Sequence, residues 1–212
     1  MTKEPKIPKQ YPESGYTYNS AIIAINTFLP EIICDSLINQ YSPRERKDAT
    51  IKYYTDIENY EVKTTPEVRK TEIFWIPENE WVAGMISYYI DKINTHHFNY
   101  DISGGISGNS FQYSVYQDGG FYDWHNDETR SLYDLIGKEN VRKLSFSLQL
   151  SDENDYDGGE LVFLDPNGKE IIQSKKKGTL VIFDSRQFHK VNPVTRGVRH
   201  SLVGWYLGPN WR

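Results

Sequence analysis

Residues 144–150 read LSFSLQL, a strict alternation that sets Leu144, Phe146, Leu148 and Leu150 on one side and Ser145, Ser147 and Gln149 on the other. A period of two belongs to an extended strand, whose successive side chains point to opposite faces. Outward from this segment, the chain after Gly104-Gly105 keeps the same pattern. Short apolar or alternating runs at 110–117, 160–164, 179–184 and 200–207 are separated by Asp118-Gly119-Gly120, Asp157-Gly158-Gly159, Asp165-Pro166-Asn167-Gly168 and Lys177-Gly178. These are residue types that favour chain reversal, so the second half is expected to be a meander of strands closed into a sandwich or barrel. The first half differs. Ile33, Leu37, Ile38 and Tyr41 follow Pro30, and Trp81, Met85, Tyr88, Tyr89 and Lys92 follow Glu78 and Glu80, both sets at helical spacing. Two helices are expected there, with strands at 16–28, 51–54 and 71–76. Residues 1–15, with three prolines among lysines, are expected to be a flexible arm before a single domain over 16–212.

The 212 residues carry 24 Lys plus Arg and 29 Asp plus Glu, a formal charge of −5. This balance argues against nucleic acid as a partner, because affinity for a phosphate backbone rests on clustered cations. Cys34 is the single cysteine and no Asn-x-Ser/Thr acceptor occurs, so nothing indicates secretion. The first hydrophobic stretch, 21–25, is too short to span or target a membrane. A cytoplasmic protein is expected, and its Ile, Lys, Asn and Tyr usage suggests a bacterial or phage-encoded one. The oligomeric state is not legible.

Of five histidines, His96 and His97 sit at the end of the second expected helix, where histidine is commonly a dipole-compatible surface residue. His125-Asn126-Asp127 is different. Residues i and i+2 of an extended segment share a side, so an imidazole and a carboxylate are presented together as a partial metal site, an ordinary surface turn being the alternative. His189 lies at the end of the apolar run 179–184. Two histidines and one carboxylate on one face of an octahedral metal leave three adjacent positions open, the arrangement of non-haem Fe(II) oxygenases. Three protein ligands also suit a zinc hydrolase. The acidic stretch 152–160 is not a calcium loop, since Asp157 stands where an EF-hand needs glycine.

The segments YQDGGFYDWHND (116–127), RKLSFSLQLSDENDYDGGELVF (142–163) and GTLVIFDSRQFHKVNPVTRGVRHSLVGW (178–205) resemble, in order and spacing, the catalytic domain of Fe(II)/2-oxoglutarate-dependent dioxygenases. The similarity is to the prolyl 4-hydroxylase-like branch, including PKHD-type hydroxylases and phage-encoded oxygenases. It implies a mainly β fold with flanking helices (α+β): a double-stranded β-helix, or jelly roll, over about 105–209, supported by helices of 16–100. It implies that His125, Asp127 and His189 bind iron and carry catalysis, that Arg199 grips the distal carboxylate of 2-oxoglutarate, and that the hydroxyl of Tyr116 meets this cosubstrate. A planar guanidinium independently suits a carboxylate, which it can hold bidentately. Ser145 and Gln149 join the cosubstrate site if their strand lines the barrel mouth, and face solvent otherwise. Trp205 shares a face with Arg199, Ser201 and Val203, and is either pocket floor or ordinary core. Arg196 reads as a turn residue, and the thiol of Cys34 as buried and inert.

The implied reaction consumes O2, releases succinate and CO2 and hydroxylates a C–H bond, with a peptide or protein as partner, a peptidyl proline as substrate and ascorbate as a supporting reductant. Three alternatives remain open: an oxygenase of the same superfamily acting on a small molecule or nucleobase, a catalytically silent jelly-roll binding module, and the zinc hydrolase.

Overall fold

The computed structural model describes residues 16–19, 21–54, 60–128 and 140–211, without the side chains of 16–19, 52–54 and 60. The expected arm at 1–15 lies outside the described residues. From Ser110 onward the chain passes back and forth between two antiparallel sheets. Ser110–Tyr116, Asn140–Gln149, Leu180–Asp184 and Arg199–Pro209 lie in the larger sheet, and Phe121–His125, Leu161–Leu164 and His189–Val191 alternate with them in the smaller. This alternation is a double-stranded β-helix. The larger sheet is completed by Tyr16–Asn19, Ile22–Ile25, Glu72–Pro77 and Lys47–Asp48 along its path, with Gly105–Ile106 beside Arg199–Pro209; the smaller gains Glu170–Ile172 and Arg69–Lys70.

The two faces of the LSFSLQL strand pack against different things. Leu144, Phe146, Leu148 and Leu150 join Leu180, Ile182 and Leu202 in a core closed by the helices Glu31–Tyr41 and Trp81–Ile93, through Leu37, Tyr41, Ile86 and Ile90. Val181 and Phe183 of the next strand point the other way, into a second core between the sheets with Leu161, Phe163 and Val191. Ser145, Ser147 and Gln149 face that inter-sheet space and are buried. The polar face is therefore interior, as sheet-on-sheet packing requires of a central strand covered on both sides.

The expected strand at 16–28 is a hairpin of Tyr16–Asn19 and Ile22–Ile25. The second helix starts at Trp81, because Pro77 still belongs to a strand and the amide of Glu78 donates to the carbonyl of Asn109. It runs into a wider turn, Asn94–Phe98, that stops at Asn99 with φ 52°. His96 is exposed there and His97 packs edge-on against Phe98. Cys34 is fully buried, which pushes its thiol up to about 12. Among the described residues no helix is long and apolar enough to cross a membrane.

Close packing in the helix-facing core generates one prediction. Phe111 and Phe146 meet edge to face at 4.8 Å, and a Cβ on Gly204 would fall 2.4 Å from Phe111 and 2.6 Å from Phe146. Gly204→Ala is expected to cost about 1–3 kcal/mol through overpacking; unchanged urea unfolding would contradict the close approach. A second prediction concerns acid. Burial, with Arg46 and Arg199 nearby, pushes His200 down to about 4, while its Nδ1 lies 2.8 Å from the hydroxyl of Tyr113. The unfolded chain holds this proton up to an ordinary pKa of about 6.5, so between those values it binds more protons than the native state. Stability then rises with pH through that window and is lost on acidification. His200→Gln should flatten the slope of unfolding free energy between pH 4 and 6.5; an unaltered slope would contradict the assignment.

Candidate metal centre and adjoining pocket

His125 ends the Phe121–His125 strand and His189 begins His189–Val191, and the two strands pair with these residues opposite one another. Backbone register thus joins residues far apart in sequence, bringing the imidazole rings to 4.1 Å between centroids. Asp127 follows in the turn, its amide donating to the carbonyl of Ser185 at 2.9 Å. Its carboxylate oxygens lie 3.9 Å from His125 Nε2 and 3.6 Å from His189 Nε2. One ligand atom from each residue falls within 4.8 Å of the others.

The tautomers follow from what the other ring nitrogen of each histidine touches. His125 Nδ1 lies 2.7 Å from the carbonyl oxygen of Asp123, and His189 Nδ1 lies 3.0 Å from that of Gln187. A carbonyl only accepts, so each Nδ1 carries the hydrogen and each Nε2 offers a lone pair to the centre. Burial and the neighbouring His189 push His125 down to about 3. Burial works to raise Asp127, but His189, His125, Arg142 and the hydroxyl of Ser145 outweigh it and hold the carboxyl below its usual range. At neutral pH His125 is therefore a neutral imidazole and Asp127 a carboxylate, and deprotonated donors of this kind are what a divalent metal takes. Tyr122 stacks on His125 at 3.5 Å, and Phe183 meets His189 at 4.8 Å. The residues fit a non-haem iron site with one open face.

Arg199 lies elsewhere in the same interior. Opposite Tyr116 in the sheet, it is only 3% exposed, donates to Ser201 Oγ at 3.3 Å and holds its guanidinium carbon 5.2 Å from the Tyr116 ring. Among the described residues no carboxylate pairs with it. It opens on a pocket lined also by Ser147, Gln149, Tyr156, Gln173 and Thr179. Gln149 Nε2 donates to Tyr156 Oη at 2.9 Å and to the carbonyl of Ser151 at 3.1 Å. Ser145 stands apart from this pocket, 2.9 Å from Ser185 Oγ and beside Asp127. Trp205 lies under the guanidinium of Arg142, 4.0 Å from its ring centre, and 6.3 Å from Trp75. Arg196 forms an ion pair with Asp157 across a two-stranded ribbon. Tyr156 was not legible as a site residue: its tripeptide strand reads as turn chemistry until paired with Val194–Gly197.

Removing a ligand should abolish one-to-one Fe(II) binding in His125→Ala, Asp127→Ala and His189→Ala without lowering the melting temperature. Ser145→Ala should weaken binding about 10-fold, the usual effect of losing an outer-shell partner. Equilibrium dialysis under argon measures both; wild-type affinity in His189→Ala would dissolve the centre.

The comparisons with known proteins cover the same stretch of the chain. Residues 111–207 match the family model of the 2OG-Fe(II) oxygenase superfamily. A PKHD-type hydroxylase of Pseudomonas aeruginosa strain LESB58 is 42% identical over 95 residues, covering 44% of this chain and 41% of that protein. One of Pseudomonas putida strain W619 is 44% identical over 94 residues, covering 43% and 40%. The match thus spans about two fifths of these relatives' length. Among solved structures, a Pseudomonas putida prolyl-4-hydroxylase aligns with a TM-score of 0.64 at 23% identity, over 88% of this chain and 92% of that one. A Trichoplax adhaerens prolyl hydroxylase, in complex with a hypoxia inducible factor oxygen degradation domain peptide fragment, gives 0.65 at 19%, over 88% and 83%. These structures share the jelly-roll fold. Over residues 111–207 the chain is similar to the 2OG-Fe(II) oxygenase superfamily.

Proposed function

We propose that the protein is an Fe(II)- and 2-oxoglutarate-dependent dioxygenase that hydroxylates a C–H bond of a peptidyl proline and releases succinate and CO2. One observation carries this reading: a buried arginine with no carboxylate partner among the described residues shares the roll's interior with a His-Asp-His centre. Burying a guanidinium costs several kcal/mol unless a partner compensates it. A dicarboxylate whose other end reaches the metal supplies that partner. A zinc hydrolase gives Arg199 no task.

The LSFSLQL strand sets the distance between the two ends. Ser145 stands at the metal end, Gln149 at the Arg199 end and Ser147 between them, on one face of a strand that rises about 3.3 Å per residue. Arg199 fixes the distal carboxylate and Ser201 holds Arg199. The second carboxylate, beside the ketone, is left to reach the face of the centre that His125, Asp127 and His189 leave open. Phe163, Phe183 and Val181 exclude water around it. Iron bound there supplies the activation of O2 coupled to oxidative decarboxylation of the 2-oxo acid. Ascorbate serves to keep the metal ferrous.

The peptidyl-proline reading is supported by the names of the Pseudomonas putida and Trichoplax prolyl hydroxylases, whose folds this chain shares, and by the peptide bound to the Trichoplax enzyme. It is also supported by the shelf of Trp205 and half-exposed Trp75, which Arg142 ties to Asp127 through a contact of 3.5 Å to its carbonyl. Aromatic shelves are surfaces on which proline-rich segments dock. An intracellular setting agrees with the lone buried thiol.

Succinate release from 2-oxoglutarate, scored with and without a proline-peptide library, tests the proposal. Arg199→Ala should raise KM for 2-oxoglutarate about 10- to 100-fold, the worth of a hydrogen-bonded charge, with Fe(II) affinity unchanged. Succinate formation stimulated by a nucleobase or small metabolite but by no peptide would replace the substrate. No succinate from iron-loaded, folded protein would leave a silent binding module.

A further inference from the structure

The helix Trp81–Ile93 carries more large apolar side chains than the core uses. Val82, Ala83, Ile86, Ile90 and Ile93 are buried in the helix-facing core. Trp81, Tyr88 and Tyr89 stand at i, i+7 and i+8 on another side of the helix and are 50%, 59% and 37% exposed. Met85 and Lys92 lie in the same row at i+4 and i+11, and the Lys92 ammonium is 5.4 Å from the centre of the Tyr88 ring. At the far end of the row Tyr89 meets Phe28 edge to face at 4.9 Å. A single exposed aromatic residue is ordinary, but a row of them along one helix marks a contact surface.

The course of the chain brings one segment to this surface. Tyr16 pairs antiparallel with Ile25 in the end strand of the larger sheet. The chain ahead of Tyr16 is therefore aimed the way Ile25 leads, toward Phe28 and so toward Tyr89. That segment reads KEPKIPKQYP over residues 3–12. Pro5, Pro8 and Tyr11 recur every third residue, and Lys3, Lys6 and Lys9 do the same. Three residues make one turn of polyproline II, so this spacing gives such a helix a ring face and a separate ammonium face.

The dimensions match. One polyproline turn advances about 9 Å, and the seven helical steps from Trp81 to Tyr88 rise about 10 Å. Successive prolines of the ring face can thus meet these two aromatic side chains in turn. The seven residues 9–15 reach up to about 23 Å when extended, enough to carry the chain from Tyr16 past Phe28. In this direction Lys3 and Lys6 arrive ahead of Trp81, where Glu78 and Glu80 stand, so the charges are complementary as well.

We propose that residues 3–12 dock along Trp81, Tyr88 and Tyr89 of their own chain as a polyproline II helix, with Pro8 on Tyr88 and Pro5 on Trp81. Aromatic-lined surfaces take such segments because their rigid backbone loses little entropy on binding. The docked segment clamps the hairpin at the edge of the larger sheet to the helical layer behind it.

Photo-crosslinking of the whole chain tests this. Tyr88, whose exposed ring the core does not need, is replaced by p-benzoylphenylalanine; the control places the same group at exposed Ile172 of the smaller sheet. Irradiation at Tyr88 should give a link to residues 3–12 within one chain, found by peptide mass mapping in protein that runs as a monomer on a denaturing gel. The control position should give no such link. Pro5→Ser combined with Pro8→Ser should lower the yield by about threefold or more, because each serine returns freedom that docking has to remove. A link between two copies, seen as doubled mass, would make the row a contact between copies and overturn the proposal. A yield unchanged by the two serines, or no modification of residues 3–12, would overturn it too.

Discussion

Everything in the site hangs on a single strand being buried on both faces. Leu144, Phe146 and Leu148 are committed to the helix-facing core, so Ser145, Ser147 and Gln149 have to face the space between the sheets. Slipping the register by one residue would exchange these faces and leave three polar groups in hydrocarbon. Pairing to Leu180–Asp184 on one side and Arg199–Pro209 on the other prevents the slip. The same pairing sets Ser145 by the His125, Asp127 and His189 triad and Gln149 by the Arg199 pocket. Hydrophobic burial, which knows nothing of catalysis, thereby positions the polar lining.

Within that lining two charges stand apart. Asp127 carries a negative charge beside His125 and His189, and Arg199 a positive one among hydroxyls and an amide. Neither is compensated in the manner of an ordinary buried ion pair, and leaving a charge so exposed to a low-dielectric interior is costly. On the proposed function, a cation at the first and a carboxylate at the second settle both debts from outside the chain. Binding to the native state alone then stabilises it by mass action. On that reading the interior is arranged for its ligands rather than for the empty fold.

The sequence carried the parts of this arrangement that are local. His125 and Asp127 are two residues apart, the LSFSLQL alternation lies within seven, and Arg199 sits ten after His189 in a run of strand-forming residues. What escaped was non-local. A period of two states that a strand has unlike faces, not that both are covered, so the burial of Ser145 and Gln149 awaited the second sheet. Tyr156 lies on a strand of three residues whose partner is some forty residues away, and its neighbours Asp157, Gly158 and Gly159 read more loudly as a turn. The helix start at Trp81 was obscured by Glu78 and Glu80, acidic residues that suit a first turn but here precede it.

The central claim is that one cavity holds Fe(II) at His125, Asp127 and His189 and a 2-oxo dicarboxylate between that metal and Arg199. The most direct measurement is anaerobic absorbance titration of the purified protein with Fe(II) and then 2-oxoglutarate. A visible metal-to-ligand charge-transfer band that needs both components, saturates at one equivalent of iron and is lost in His189→Ala is the result expected. Tight, stoichiometric Fe(II) binding with no band at any 2-oxoglutarate concentration would contradict the account, because metal and cosubstrate would then not share the cavity.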